Sequence, residues 1–210
     1  MLAAPGNAGI ARDKVECFDV PGDDVSRLVA LAHEQHCDLV VVGPEVPLVA
    51  GLVDACFEAG IKAFGPSAAA AKVEGSKAYA KELMESAGVP TAGYEVLHDR
   101  KAALAHLSTA SYPLVLKADT LAAGKGVVIC ASETEARAAV DEFFTQQRFG
   151  KTTVVVEEFL EGQELSLLAL CDGIRAVPMA PAQDYKRIFT GDEGPNTGGM
   201  GSYSPVPGFD

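Results

Sequence analysis

Two short apolar runs that end the same way constrain this chain most. Asp38-Leu-Val-Val-Val42 runs into Gly43-Pro44, and Lys62-Ala-Phe64 runs into Gly65-Pro66. Between them, Pro47 to Ala59 has the pattern of a helix stopped by Gly60. Ahead of them, apolar residues at 25, 28, 29 and 32 recur at helical spacing within Asp23 to His36. Strand, helix and strand in alternation imply a parallel sheet, so the first part of the chain reads as α/β. In such sheets ligands gather where strands give way to loops. That singles out Gly43-Pro44-Glu45 and Gly65-Pro66-Ser67.

The pattern then changes. Ser67 is placed to cap one helix, and another runs from about Ser76 to Ala87 before Gly88 and Pro90. Thr91 to Leu97 reads as a strand, Asp99 to Ser108 as a helix capped by Asp99, and Pro113–Ala118 and Val127–Ala131 as strands. Ser132-Glu-Thr-Glu135 is a capping box. It opens a helix whose apolar face is Ala136, Ala139, Val140, Phe143 and Phe144. Strands follow over 152–159, 164–171 and 174–180. Strands in hairpins with helices interposed predict an α+β domain, distinct from the first. The change falls within 66–90, and we draw the domains as 1–66 and 67–210. The opening MLAAPGNAGIA and the closing YSPVPGFD both have loop chemistry. The chain is therefore expected to be an internal piece of a longer protein, incomplete at both ends. Gln183 to Asp210 is rich in Gly and Pro yet mixes Tyr, Phe, Met, Lys and Arg, which points to a functional loop.

Net charge is -12, so the body of the protein repels a phosphate backbone, and nucleic acid is excluded as a partner class. A phosphorylated ligand must then be held by local positive charge and backbone N–H groups. Five scattered cysteines without a C-x-x-C pair favour reduced thiols and a cytoplasmic setting over a disulfide framework or a zinc site. No apolar run reaches membrane-spanning length, and the N-terminus lacks a signal-peptide pattern.

The segment LKADTLAAGKGVVI, Leu116 to Ile129, invites comparison with phosphate loops. A Walker A loop needs glycine where Asp119 stands, Ser or Thr where Gly126 stands, and a helix afterwards. Val127-Val-Ile-Cys130 is strand-like instead, which excludes a Rossmann turn as well. The segment reads as strand, glycine-rich tip, strand. Its backbone N–H groups could approach a polyphosphate, with Lys117 aimed at the same charge. A plain surface hairpin has the same pattern. Further on, VVVEEFL (Val154 to Leu160) is an apolar strand ending in carboxylates, with Glu164 just beyond. Such a strand could offer a purine an apolar slot with backbone donors and acceptors, and offer a ribose a carboxylate. A solvated acidic turn is the alternative.

Taken in order, GPEVPLVAGLVDA, FGPSAAAAKVEGSKAYAKELM, LVLKADTLAAGKGVVI, VVVEEFLEGQELS, PMAPAQDYKR and GPNTGGMGSYSPVP resemble the phosphoribosylamine–glycine ligases, ATP-grasp enzymes of purine synthesis. The resemblance covers essentially the whole chain. It implies a pre-ATP-grasp domain followed by an ATP-grasp domain, and a monomer when complete. The implied partners are glycine and 5-phosphoribosylamine, with ATP and Mg²⁺ as cofactors. Another ATP-grasp carboxylate–amine ligase, or a non-catalytic nucleotide-binding module, would share much of the pattern.

The resemblance also assigns roles. Lys77 and Lys117 resemble the two lysines that hold the ATP phosphates, and with Arg187 they are the catalytic candidates. Gly124, Lys125 and Gly126 resemble the loop that closes over the nucleotide. Glu157, Glu158 and Leu160 resemble the adenine edge, and Glu164 the ribose ligand. Gly43, Pro44, Glu45 and Pro47 stand where phosphoribosylamine is received. Asp184, Lys186 and Arg187, with Asn196, Thr197, Gly198, Gly199 and Met200, resemble the segment that closes on the substrates. The Mg²⁺ ligands are expected beyond residue 210, so no metal ligand is assigned here. The family's first strand and its Gly-Arg-Glu-His loop are expected before Met1, and a chain without these parts is expected to have little activity alone. Thr120 stands where the family usually has glycine, and its β-branch could alter loop closure.

Overall fold

A computed structural model describes residues 1–121, 126–191 and 193–209. The chain divides into two units. Met1–Thr91 with Asp119–Leu121 form the first, and Ala92–Ala118 with the described residues after 121 form the second.

The first unit opens with β1 (Leu2–Ala3), α1 (Ala8–Arg12) and β2 (Glu16–Cys17). β1 and β2 pair in parallel, and the Asn7 side chain caps α1 by accepting from the Ile10 N–H. The opening run is thus ordered secondary structure, where loop was expected. A strand of two residues is too short to show a period. Next come α2 (Val25–Glu34), β3 (Val40–Val41), α3 (Glu45–Val49), α4 (Leu52–Glu58) and β4 (Ala63–Phe64). β3 and β4 pair in parallel, as the alternation predicts. Ala32, Val42, Leu52, Val53, Cys56 and Ile61 form the buried core, with Val25, Leu28 and Val29 packed on it.

The helix expected over 47–59 is two helices. Gly51 takes φ 88°, a left-handed conformation that ends α3 and admits α4. Pro47 lies in the first turn of α3, where a missing N–H costs no intrahelical bond. Gly65 after β4 has φ 152°, and a Cβ there would stand 2.8 Å from Leu48 Cδ2. α5 (Ala68–Gly75) and α6 (Lys77–Ser86) complete the unit. Ser67 caps α5 by accepting from Ala70 N. Ser76 is at once the C-cap of α5 and the N-cap of α6.

The second unit has β5 (Tyr94–Leu97), α7 (Arg100–Leu107), β6 (Leu114–Ala118), β7 (Val127–Cys130), α8 (Glu133–Val140) and β8 (Val154–Glu158). The last turn of α8 widens into a π-helical segment, Asp141–Thr145. The strands form one antiparallel sheet in the order β5-β8-β6-β7. Asp99 caps α7, and Ser132 caps α8 by accepting from Glu135 N. The Glu135 carboxylate reaches back to the Ala131 N–H at 2.9 Å, one residue before the cap. Alternation along β6 buries Leu114, Leu116 and Ala118 in one cluster with Ala103 and Leu107 of α7 and Ala136, Ala139 and Val140 of α8. Phe143 joins this cluster and Phe144 packs against it, as the predicted apolar face requires.

Beyond β8 lie β9 (Ala169–Cys171), β10 (Ala176–Pro178), β11 (Gln183–Asp184), β12 (Arg187–Phe189), β13 (Glu193–Asn196) and β14 (Ser202–Tyr203). They pair antiparallel as β9-β10, β11-β14 and β12-β13. The segment expected to be an irregular loop is therefore partly paired strand. Its Gly and Pro content hides that from a propensity reading.

Candidate functional site

Lys117 stands on the face of β6 opposite the helices. In the β6–β8 register Lys117 faces Val155 and Val115 faces Glu157, so Lys117 and Glu157 are diagonal neighbours on one face. Lys117 Nζ donates to Glu157 Oε2 at 2.8 Å. The Glu157 side chain is only 7% exposed and that of Lys117 27%. Sequence reasoning placed Glu157 at a purine edge; its carboxylate is engaged by Lys117. Glu158 points elsewhere, accepting the Gly93 N–H at 3.3 Å, and Leu160 is exposed.

Lys186, Asp184 and Glu164 come together in the same unit. Lys186 Nζ lies 2.6 Å from Glu164 Oε2 and 3.8 Å from Asp184 Oδ1. The hydrogen bond to Glu164, and then the charges of Glu164 and Asp184, outweigh burial and raise the Lys186 pKa above its ordinary value. Thr197 binds the Lys186 carbonyl through both its N–H (2.7 Å) and its hydroxyl (2.9 Å). Its hydroxyl also accepts the Gly199 N–H at 3.0 Å, and the Met200 N–H reaches the Tyr185 carbonyl at 2.7 Å. The glycine-rich run thus folds back onto 184–187. Arg187 donates to the Gly194 carbonyl at 3.1 Å. Asn196 lies on β13, paired with Arg187. Gln163 Nε2 donates to Gln183 Oε1 at 3.1 Å, a contact that spans 20 residues and has no sequence signal.

In the first unit, Gly43, Pro44 and Pro47 line an apolar cavity of about 350 Å³ with Leu2–Gly6 and Val40–Val42. Glu45 lies with Gly43, Leu48 and Glu74 on a second, smaller cavity. Lys77 opens α6, and its Nζ donates to the Thr120 carbonyl at 2.9 Å. Around it lies a group that sequence reasoning missed. The Ser76 hydroxyl donates to Asp119 Oδ2 at 3.1 Å, and the Ala78 N–H donates to Asp119 Oδ1 at 3.2 Å. Ser76 was legible as the start of a helix; its distant carboxylate partner was not. Thr120 is not among the residues with positive φ, so this position does not demand glycine.

Gly124 and Lys125 lie outside the described residues, and Gly126 immediately precedes β7. Among the described residues no group of three His, Cys, Asp or Glu is placed to hold a metal ion. All five cysteines are free, and no helix among the described residues is long and apolar enough to cross a membrane.

Comparison with known proteins fits this arrangement. Residues 1–74 match the phosphoribosylglycinamide synthetase N domain, and residues 75–210 match the ATP-grasp (A) domain of the same family. A phosphoribosylamine–glycine ligase of Halalkalibacterium halodurans is 51% identical over 100% of the chain and 49% of its own length. The solved structure of a phosphoribosylamine–glycine ligase from Thermotoga maritima superposes with TM-score 0.79 at 36% identity, covering 96% of this chain and 48% of that one. A biotin carboxylase domain from Hydrogenobacter thermophilus, solved with MgADP, matches with TM-score 0.66 at 25% identity over 82% of this chain and 40% of its own. The chain spans about half the length of the curated relatives it matches. By both of its matched segments, the chain belongs to the phosphoribosylglycinamide synthetase family.

Proposed function

We propose that this chain provides the nucleotide grip and part of the substrate site of an ADP-forming ligase that joins glycine to 5-phosphoribosylamine. Residues 1–66 would serve the ribose-bearing substrate and 67–210 the nucleotide. The observation that carries this reading is Lys117. It is a half-buried cation on a sheet face, held by one carboxylate, at the base of a glycine-rich segment, in a chain of this family.

The chemistry couples two displacements. A carboxylate oxygen of glycine attacks the γ-phosphorus of ATP, breaking its bond to the β,γ-bridging oxygen and releasing ADP. The amine of phosphoribosylamine then attacks the carbonyl of glycyl phosphate, forms the amide, and expels phosphate as it loses a proton. Such reactions need positioning and charge stabilisation more than a side-chain nucleophile. Lys77 and Lys117 supply point charges for phosphate oxygens, and Arg187 supplies a fork-shaped donor that suits the transferring phosphoryl group. Backbone groups of Glu158 and Leu160 would read the adenine edge, and Glu164 the ribose hydroxyls. The pairing of Lys186 with Glu164 suggests that nucleotide arrival and substrate closure compete for one carboxylate. Asp184, Thr197 and the glycines up to Met200 would then close on glycine and the amine, while Gly43 to Pro47 receive the phosphorylated sugar. The described residues offer no cluster of three or more His, Cys, Asp or Glu that fits Mg²⁺.

ADP release is measured with glycine and phosphoribosylamine supplied together and omitted in turn. The reading requires ADP formation that depends on both. Indifference to glycine would move the assignment to another carboxylate–amine ligase. Nucleotide binding with no acid-dependent release, even in a chain as long as the relatives, would reduce it to a binding module. The 210-residue chain alone is expected to turn over slowly.

A further inference from the structure

We propose that Asp119 is a positioning residue for Lys77, an inference that rests on the reading that Lys77 meets nucleotide phosphates. The carboxylate brackets that lysine. One oxygen takes the Ser76 hydroxyl at 3.1 Å and the other takes the Ala78 N–H at 3.2 Å, so the residues on either side of Lys77 are tied to one group. The next residue, Thr120, takes the Lys77 ammonium itself on its carbonyl at 2.9 Å. Three consecutive residues at the start of α6 are thus bonded to two consecutive residues more than 40 positions away in sequence.

Local helix geometry does not require this. The first four N–H groups of a helix lack intrahelical partners, and Ser76 already meets one by accepting from Tyr79 N at 3.1 Å. Asp119 adds a second, charged cap that favours the positive end of the helix. It also spends the Ser76 hydroxyl proton, which fixes the orientation of the local cap. A lysine side chain is a flexible stem carrying a point charge, and its grip on a phosphate improves when its root is held. Asp119 holds the root, and the Thr120 carbonyl parks the charge where a phosphate oxygen could take it over. Because Thr120 contributes a carbonyl, a residue other than glycine at 120 leaves this contact intact.

The test is equilibrium binding of ATP and of adenosine to the 210-residue chain and its variants. The ratio of the two affinities isolates the phosphate contribution. For Asp119→Ala the ratio is expected to fall about tenfold with adenosine binding held within about twofold, since a loosened lysine must be ordered again when the phosphates bind. Asp119→Asn keeps an oxygen for the Ala78 N–H, and its ratio should fall about threefold. A purely structural role would weaken both ligands together and leave the ratio unchanged, and that result overturns the proposal. If Asp119→Ala does not fold, the Asp119→Asn and Ser76→Ala ratios decide by the same criterion. A wild-type chain with no preference for ATP over adenosine refutes the nucleotide reading and the proposal with it. A wild-type preference that survives in the variants refutes only the role of Asp119.

Discussion

Two lysine–glutamate pairs among the described residues of the second unit have nearly equal lengths and very different surroundings. Lys117–Glu157 sits at 2.8 Å on a hydrogen-bonded sheet with its carboxylate 7% exposed. Lys186–Glu164 is shorter at 2.6 Å, but its side chains are 42% and 67% exposed. Distance therefore says little about strength. Water screens the second pair and leaves its partners free to exchange. The first is anchored on adjacent strands, with its carboxylate largely withdrawn from water.

The largest effect should come from breaking the buried pair alone. Glu157→Ala leaves the Lys117 ammonium facing a desolvated hole, and should cost about 3 kcal/mol in urea unfolding, near the lower end for a broken buried pair. A cost under about 1 kcal/mol would show that water already reaches the pair. Replacing both partners by apolar residues, Lys117→Met with Glu157→Leu, should restore most of that loss, because a buried ion pair gains little over a well-packed apolar one. The exposed pair should respond far less. A double-mutant cycle on Lys186 and Glu164 should give a coupling of about 0.5 kcal/mol that fades in 1 M salt. A coupling as large as that of the buried pair would erase the contrast. The smallest effect concerns pH. The folded-state pKa of Lys186 is raised, so the stability it contributes is complete below the ordinary value of 10.5 and is lost only as pH climbs through the higher folded value. Glu164→Gln should bring that loss to lower pH, as an NMR titration of the Lys186 side chain would show.

Local features of the fold were legible in sequence. Ser67, Asp99 and Ser132 all cap the helices expected of them, because a cap is decided within three residues. The parallel pairing of β3 with β4 follows from alternation alone. Reading failed where the determinant was a backbone conformation or a distant partner. Gly51 looks like any glycine inside a helical stretch until its φ of 88° splits the helix. β12 and β13 lie in a run whose Gly and Pro content signals loop. Thr197, which binds the Lys186 carbonyl, was singled out through family resemblance; spacing would not have found it. Asp119 was visible only as a departure from a Walker A pattern, since its partners lie more than 40 residues away.

The place of β8 between β5 and β6 has one more consequence. Its residues alternate between two faces, and the face of Val155 and Glu157 carries the basic Lys117. A slip of one position would turn the Glu157 carboxylate toward Leu114 and Leu116 and present Val156 to Lys117. The wrong alignment would lose its ion pair and bury an unmatched anion in the same stroke. The Lys117–Glu157 pair thereby proofreads the assembly of the strands on either side of it.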